Sequence, residues 1–519
     1  MSLQSEVFGL LDNAQRLCGE CPDAEELSSS LREMRTRLET PLRVAVVGIM
    51  KAGKSTFMNA LMGADILCTG SLETTYTVCW FRYGEQPKLT ICFRDGKEQE
   101  ASISELERWS VRSYEKENPQ INDVKYLVIH YPSEVLRTME FIDTPGLNSM
   151  YGTDAQNTLD FLAIQGSEET IYEAGMADAI IYAFSHTASG FDEAILQEFH
   201  KGGMESVSPI NSVGILTKVD ATGIWDIFGE VSPVEAAQAV TSNVMKNEGL
   251  KRLLFTVLPI CAKVCEGCAQ LTEPDWNILH QIAEVNTEEL QDLLFDAEQF
   301  AHSEEDIYAA FGSPTARTRL IELVGQYGIL EIANLLRSGK SPDEVGASLQ
   351  CDCGVQAMRD LLLRHFGNRT FLIKSQYIFN YLRGAVRQIR KNSGTSSQLR
   401  NICGQLLDSI DNLMTSVQTL KELKALQMYY NGQLQFSNEE ERQDFLQITG
   451  EYGRSPEARL GVQGSLSVAE LAGIARKKVA LWHRKTSGWM LSSAYMDAAS
   501  IIARSYEQMC FHLNALSEE

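Results

Sequence analysis

The stretch Arg43-Val-Ala-Val-Val-Gly-Ile-Met-Lys-Ala-Gly-Lys-Ser-Thr56 decides the fold of this chain. Its first half is a short β-branched run closed by Gly48, which is typical of a buried strand. Its second half fits the pattern G-x-x-x-x-G-K-S and leads directly into the helical pattern of residues 56–62. A strand, this loop and a helix in that order predict a phosphate-binding loop.

The loop residues suit phosphate chemistry. The glycines permit the backbone angles that turn successive N–H groups toward phosphate oxygens, and the helix start adds partial positive charge. Lys54 would reach the β- and γ-phosphates, and the Ser55 hydroxyl would ligate Mg²⁺. A second Gly-Lys-Ser, at 339–341, has no preceding strand and no first glycine, so we interpret it as a look-alike. The candidate nucleotide-binding residues here are Gly48, Lys51, Ala52, Gly53, Lys54, Ser55 and Thr56.

A second candidate segment, Asp143-Thr-Pro-Gly146, ends the strand-like run 138–142. An acid at this place can hold Mg²⁺ through water, and the Gly146 N–H can sense the γ-phosphate. On its own, such a segment is equally typical of a plain turn. Behind a phosphate-binding loop, the nucleotide interpretation is the better one.

Two further segments point to the base. Thr217-Lys218-Val-Asp220 follows the run 212–216, and a carboxylate there can accept both donors on the guanine edge, which adenine does not offer. Pro259-Ile-Cys261-Ala262-Lys263 follows the last strand-like run, and its backbone amide can reach the guanine carbonyl oxygen. The chain is therefore expected to prefer GTP, and an ATPase is disfavoured.

The rest of the chain divides by its hydrophobic pattern. Residues 1–40 show a helical period interrupted at Cys21-Pro-Asp23, which predicts two helices that pack with a later bundle. Residues 41–270 alternate strand-like and helical runs, which predicts an α/β domain with a mostly parallel sheet. Residues 271–519 read as helices, an elongated all-α bundle with a tip near 448–491. The predicted helices of this last region are 276–300, 318–336, 357–391, 398–428 and 468–516.

Composition excludes several classes. The chain has 519 residues and a net charge of −23, so it is a poor general binder of nucleic acid. No apolar run is long enough to span a bilayer, and the first residues show no secretory signal. Its 12 cysteines are then most simply reduced thiols, and a cytoplasmic protein is expected.

Three segments resemble the dynamin superfamily, in particular the bacterial dynamin-like proteins. They are Lys51-Ala-Gly-Lys-Ser-Thr56, Asp143-Thr-Pro-Gly-Leu-Asn-Ser149 and Ala177-Asp-Ala-Ile-Ile-Tyr-Ala-Phe184. The resemblance implies a Mg²⁺-dependent GTPase that hydrolyses GTP to GDP and phosphate, whose domains pair across the nucleotide or form higher oligomers. It also implies a helical part that senses or remodels membranes, hence a peripheral place at the inner face of the membrane, with membrane lipid or another dynamin-like chain as further candidate partners.

The resemblance also implies roles for residues around the γ-phosphate. A threonine ahead of the second strand would ligate Mg²⁺ together with Ser55 and Asp143, and the spacing favours Thr75 over Thr74. Position 147 is Leu, as in dynamin-like proteins, so the water-orienting Gln of small GTPases is absent. Lys51 would act as an internal positive charge on the transition state, or it is a solvated lysine at the loop edge. The candidate catalytic residues are Lys51, Lys54 and Thr75.

Two other patterns have competing interpretations. Cys18-x-x-Cys21 and Cys265-x-x-Cys268 have zinc-ligand spacing but lack further cysteine or histidine neighbours, so a shared zinc site is disfavoured. The basic, Trp-containing stretch 476–491 suits a lipid interface, or it is a helix with a solvated charged face and Trp in the core. A nucleotide-regulated scaffold or assembly switch without lipid contact is accordingly the alternative function.

Overall fold

The computed structural model describes residues 3–49, 51–67, 77–111, 114, 116–144, 177–185, 192–196, 208–221, 224–392, 394–430, 432–464, 466–486 and 492–518. The chain forms two compact units. The sheet unit comprises Arg43–Val207 and Ser212–Leu362, and the helical unit comprises Met1–Leu42, Ser208–Asn211 and Leu363–Glu519.

The sheet is nine-stranded within the described residues, in the order β4-β3-β5-β2-β6-β1-β7-β8-β9. One half is parallel, because β1 pairs with β7, β7 with β8, and β8 with β9 in the same direction. These strands are buried along almost their whole length, as apolar strands covered on both faces must be. The strands are β1 Leu42–Gly48, β2 Cys79–Tyr83, β3 Lys88–Phe93, β4 Glu98–Ala101, β5 Val124–Tyr131, β6 Met139–Asp143, β7 Ala179–Ser185, β8 Ser212–Thr217 and β9 Val257–Pro259.

The other half of the sheet is mixed. β2 runs parallel to β5 but antiparallel to β6, and β3 runs antiparallel to both β4 and β5. Eight of these nine strands correspond to strand-like runs in the sequence, which are 43–48, 77–83, 88–94, 125–130, 138–143, 179–184, 212–216 and 254–259. The exception is β4, Glu-Gln-Glu-Ala, whose polar side chains suit an outermost strand that faces water.

The helices of the sheet unit include a long run after the last strand. The predicted helix 276–300 is three helices, because Asn286 and Asp296 cap new helix starts with their side chains. The helices are α3 Lys54–Met62, α4 Leu106–Ser110, α5 Pro233–Val244, α6 Glu248–Leu253, α7 Ala262–Ala269, α8 Glu273–Ala283, α9 Thr287–Leu294, α10 Ala297–His302, α11 Asp306–Ala309, α12 Pro314–Arg337, α13 Pro342–Asp352 and α14 Val355–Leu361.

The helical unit confirms the two N-terminal helices, which break at Pro22. The predicted helix 398–428 is broken at Val417, where the Thr415 hydroxyl bonds the Asp411 carbonyl and competes with the helical backbone. The region near 448–491, predicted as the tip of the bundle, contains the short helix Pro456–Leu460. The helices are α1 Leu3–Gly19, α2 Glu25–Glu39, α15 Thr370–Lys391, α16 Ser397–Ser416, α17 Gln418–Tyr430, α18 Glu439–Ile448, α19 Pro456–Leu460, α20 Val468–Lys485 and α21 Ser493–Glu518.

The passage from α14 to α15 is not a single α-helix. The predicted helix 357–391 contains a π-helical turn, Leu362–Phe366, and then a 3₁₀ turn, Gly367–Arg369. The compact sheet unit therefore continues to Leu362, beyond residue 270, where the strand signals end. The division into regions 1–40, 41–270 and 271–519 stays a prediction.

The expectation that every cysteine is a reduced thiol is wrong in one place. Cys265 of α7 and Cys353, which follows α13, form a disulfide with a Cα–Cα distance of 6.8 Å. The two residues are 88 positions apart, and only the packing of α7 against α13 brings them together. Sequence spacing alone could not indicate this pair.

Candidate functional site

The backbone of the loop between β1 and α3 has the geometry that its glycines predict. Gly53 precedes the first residue of α3 with φ 74°, in the left-handed region that favours glycine. At Gly48, a side chain would lie 2.6 Å from the Ala183 carbonyl oxygen of β7, so the close approach of the two strands requires glycine. Lys51 is a non-glycine residue with a left-handed φ of 62°, and its side chain is exposed.

Lys54 is the first residue of α3, and its side chain is buried. Its Nζ donates to the carbonyl oxygens of Gly48 and Ile49, at 3.2 and 3.1 Å. Burial lowers the pKa of Lys54 to about 8, against the opposing effect of the Asp143 carboxylate. The ammonium is therefore turned into the loop that the motif predicts to hold phosphates.

Asp143 ends β6 and lies fully buried beside the start of α3. The Ser55 hydroxyl donates to its Oδ2 at 3.2 Å, and burial raises the pKa of Asp143 to about 6. Its Oδ1 has no hydrogen-bond partner among the described residues. A hydroxyl and a buried carboxylate with an open oxygen are a donor set that fits Mg²⁺. The structure thus brings together two of the three predicted metal ligands.

The segment after β8 is fixed to the phosphate loop. The Thr217 hydroxyl donates to the carbonyl oxygens of Ala52, at 2.7 Å, and Phe184, at 2.9 Å. Lys218 follows with a left-handed φ of 54°. Burial lowers the pKa of Lys218, and nearby Lys51 adds to this shift. The motif residues of two loops therefore form one continuous surface.

The segment after β9 closes the same region. Cys261 is buried, and its N–H donates to the Cys353 carbonyl oxygen, so this amide is engaged within the protein. Ala262 starts α7, and the first N–H groups of a helix have no partner within it, so Ala262 is the better donor for a base carbonyl. Lys263 donates from Nζ to the Ile321 carbonyl oxygen at 3.1 Å.

These segments enclose a cavity of about 880 Å³. It receives residues from the phosphate loop, from α3, from the segments after β8 and β9, and from α12. The predicted residues among its lining are Gly53, Thr56, Thr217, Lys218, Asp220, Ala262 and Lys263. The sequence-predicted base and phosphate residues are thus neighbours in space. Seven other predicted residues are described but are not part of this lining: Gly48, Lys51, Ala52, Lys54, Ser55, Asp143 and Cys261. Thr75 with its alternative Thr74, and Gly146, lie outside the described residues.

Sequence reasoning missed two residues that hold this site together. Asn59, on the buried face of α3, donates to the Leu67 carbonyl at 2.8 Å and to Glu266 of α7 at 2.6 Å. Arg359 of α14 donates to the carbonyl oxygens of Ala60 and Leu61, at the last turn of α3. For Asn59, a signal existed: it is a polar residue within the apolar run Phe57–Met62. Arg359 had none, because its partner is almost 300 positions away.

The four cysteines with zinc-ligand spacing include one that is not a free thiol. Cys265 is engaged in the disulfide with Cys353. In the part of the chain that the structure describes, no group of three histidine, cysteine or acidic residues could hold a metal ion. Cys18 is buried next to Cys21 and Cys403, and burial raises the pKa of the Cys18 thiol to about 11, which disfavours the thiolate that zinc requires.

The basic stretch within 476–491 is largely engaged inside the helical unit. Trp482 is fully buried, and its indole N–H donates to Asp444. Lys478 also pairs with Asp444, and Lys485 pairs with Glu441. Residues 487–491, including the second Trp, lie outside the described part. Among the described helices, none is both long and apolar enough to cross a bilayer.

The comparisons with known proteins agree with this geometry. The Dynamin family profile matches residues 44–219. The isoniazid-induced protein IniC of Mycobacterium tuberculosis is 25% identical over 489 residues, 93% of each chain. The bacterial dynamin-like protein of Nostoc punctiforme is 34% identical over 146 residues, 26% of this chain and 20% of that protein. A chain from a solved oligomerised bacterial dynamin pair aligns over 98% of this chain and 90% of its own, at 13% identity and a TM-score of 0.33, too weak a superposition to argue from.

The mostly parallel sheet with its phosphate loop defines a P-loop protein of the GTPase type, as predicted. The family match over β1 to the segment after β8 and the bacterial relatives support a dynamin superfamily protein. The predicted combination of this α/β domain with a large helical part is confirmed.

Proposed function

We propose that this protein binds GTP with Mg²⁺, hydrolyses it to GDP and phosphate, and couples the nucleotide state to conformational change and self-association. The observation that carries the proposal is the cavity that Asp220 and Lys263 line together with Gly53 and Thr56. Gly53 and Thr56 flank the buried Lys54 and Ser55 in sequence, and the Ser55 hydroxyl bonds Asp143. A guanine nucleotide requires positive charge beside its phosphates and a carboxylate beside the hydrogen-bonding edge of its base.

Each residue has a part in the proposed site. Lys54 places positive charge at the β- and γ-phosphates, and the first N–H groups of α3 bind phosphate oxygens. Ser55, Asp143 and Thr75 would hold Mg²⁺, which when bound neutralises charge on the phosphate oxygens. Asp220 accepts from the guanine edge, and Ala262 donates to the guanine carbonyl. Lys51, exposed at the loop edge and near Lys218, is a candidate for transition-state charge in a paired domain.

The experiment is GTP turnover by the purified protein across a concentration series. Specific activity should rise with protein concentration, because a domain that pairs across its nucleotide is more active as a pair. Lys54→Ala should abolish turnover. Lys340→Ala is the matched control, because Lys340 is the lysine of the other Gly-Lys-Ser segment. Its Nζ donates to Ser348 on α13, and its removal should leave turnover unchanged. Equal loss in both variants, or GTP turnover that survives in Lys54→Ala, would refute the proposed site.

The membrane role is the less supported part, and one observation favours the scaffold alternative. Three members of the basic stretch, Lys478, Trp482 and Lys485, are bound by acidic partners within the helical unit, so they are not presented to lipid. Sedimentation with anionic liposomes, with and without a non-hydrolysable GTP analogue, separates the two functions. Pelleting supports membrane remodelling, and its absence in both states supports a nucleotide-regulated assembly switch.

A further inference from the structure

Helix α12 contains a backbone break at Gly325. The helix spans Pro314–Arg337, but Gly325 has φ 69° and ψ 179°, outside the helical region. Only glycine adopts this conformation without strain, and such a break inside a long helix is destabilising unless the surroundings hold it. Gly325 is buried, so the break is not an exposed, frayed turn.

The break faces the residues that are expected to read the base. A Cβ at position 325 would lie 3.5 Å from Asp220 Oδ2 and 3.7 Å from Lys263 Nζ. Lys263 Nζ also donates to the Ile321 carbonyl oxygen at 3.1 Å. In an uninterrupted α-helix, that carbonyl accepts the N–H of residue 325. At the break, therefore, Lys263 Nζ donates to the carbonyl that the N–H of residue 325 would otherwise bond.

α12 is also part of the cavity wall. Six of its residues line the 880 Å³ cavity together with Gly53 of the phosphate loop and Asp220. The helix lies tightly on α7, because a Cβ at Gly267 would be 2.1 Å from the Leu323 carbonyl oxygen. The residues that α12 contributes are Arg319, Ile321, Glu322, Leu323, Gly325 and Gln326.

We propose that the break in α12 is a guanine-specificity element, in which Gly325 is a positioning residue for Asp220 and Lys263. The inference rests on the proposed guanine-nucleotide function and goes beyond it, because it assigns selectivity for the base to a helix that follows the four nucleotide motifs in sequence. It also makes α12 a direct sensor of base occupancy.

The test is Gly325→Ala, read by titration with fluorescent GDP and by competition with GDP and IDP, whose base lacks the 2-amino group that Asp220 would accept. Alanine is strained at this φ and favours a continuous helix. Straightening returns the Ile321 carbonyl to residue 325 and takes it from Lys263. GDP affinity should fall about tenfold, and the preference for GDP over IDP should fall as well, because Asp220 is displaced from the 2-amino donor.

The matched control is Gly346→Ala on α13, where the nearest atom to a new Cβ is Cys268 Sγ at 4.0 Å. It should keep both the affinity and the preference. If Gly325→Ala does not fold, the proposal is tested on the wild type instead. The measurement is then hydrogen–deuterium exchange with and without GDP. GDP should slow exchange at residues 321–326 and leave α13 unchanged.

The outcomes separate the two proposals. Unchanged GDP affinity and unchanged GDP-over-IDP preference in Gly325→Ala overturn the specificity role, and so does GDP-independent exchange at 321–326. Equal losses of GDP and IDP affinity also overturn it, because they indicate general damage rather than base reading. Absence of GDP binding by the wild type overturns the proposed function and this inference together.

Discussion

The removal of the Asn59 side chain should loosen the chain segment that leads toward Thr75. Asn59 is 1% exposed, and its side-chain amide bonds both the N–H and the carbonyl of Leu67. Its Nδ2 donates to the Leu67 carbonyl at 2.8 Å, and its Oδ1 accepts the Leu67 N–H at 2.8 Å and the Ile66 N–H at 3.1 Å. In Asn59→Ala, both backbone groups of the buried Leu67 lose this partner.

The magnitude follows from these two groups. A buried donor or acceptor left without a partner costs about 1–3 kcal/mol, so the pair costs about 2–6 kcal/mol. The better helix propensity of alanine returns about 0.7 kcal/mol at most. The local stability at Leu67 should therefore fall by about 1.3 kcal/mol or more. That is about a tenfold or greater loss of protection, since about 1.4 kcal/mol corresponds to a factor of ten.

The assay is residue-resolved hydrogen–deuterium exchange at the Leu67 amide. The control is Asn243→Ala, the same chemical change on the exposed face of α5, where the Asn243 side chain accepts a hydrogen bond from Lys246 Nζ at 3.0 Å. Asn59→Asp is a second variant: it keeps acceptors for the two N–H groups but sets a carboxylate where Nδ2 lies 2.6 Å from Glu266, so it should not restore protection. Wild-type exchange at Leu67 in a folded Asn59→Ala protein would refute the reasoning.

Two further predictions concern the metal ligands and the end of α3. Because the pKa of Asp143 is raised to about 6, protons compete with Mg²⁺ as the pH falls through 6. The apparent Mg²⁺ affinity of the GDP complex should thus drop about tenfold from pH 7 to pH 5, and Asp143→Asn should lose this pH dependence; equal affinity at both pH values would contradict it. Arg359→Ala removes charged donors from the last carbonyls of α3 and should lower the free energy of unfolding of the sheet unit by about 2–4 kcal/mol. Arg359→Lys should recover part of this in a urea titration, and identical midpoints for wild type and Arg359→Ala would count against the contact.

Local sequence predicted the parts of the molecule that local physics determines. The run Arg43–Gly48 is a buried strand because β-branched residues suit a sheet covered on both faces, and the loop after it needs glycine at 48 and 53 for backbone reasons. The sequence also indicated that nucleotide segments which follow parallel strands lie near one another, because the carboxyl ends of parallel strands meet at one edge of the sheet. Described members of three of those segments line one cavity, and Asp143 of the fourth accepts a hydrogen bond from Ser55.

What could not be predicted depends on contacts between distant parts of the chain. The disulfide joins residues 88 positions apart, and Arg359 meets α3 from almost 300 positions away. The break at Gly325 lies inside the predicted helix 318–336. The apolar residues around Gly325 keep the helical period whether or not the glycine backbone is helical, so the pattern did not indicate the break. Polar β4 carried no strand signal, since Ala101 is its single apolar residue.

The backbone itself gives an argument for the site that is independent of any motif. Among the described residues, Lys51 and Lys218 are the two non-glycine residues with a left-handed φ. Such a conformation costs about 1 kcal/mol or more for a side chain of this kind and persists only where the surrounding structure imposes it. One lysine lies in the loop after β1 and the other directly after β8, and burial together with Lys51 lowers the pKa of Lys218. Two lysines that are both strained and mutually repelling destabilise the fold beside the phosphate loop, and an anion such as a nucleoside triphosphate is the ligand that would relieve this repulsion.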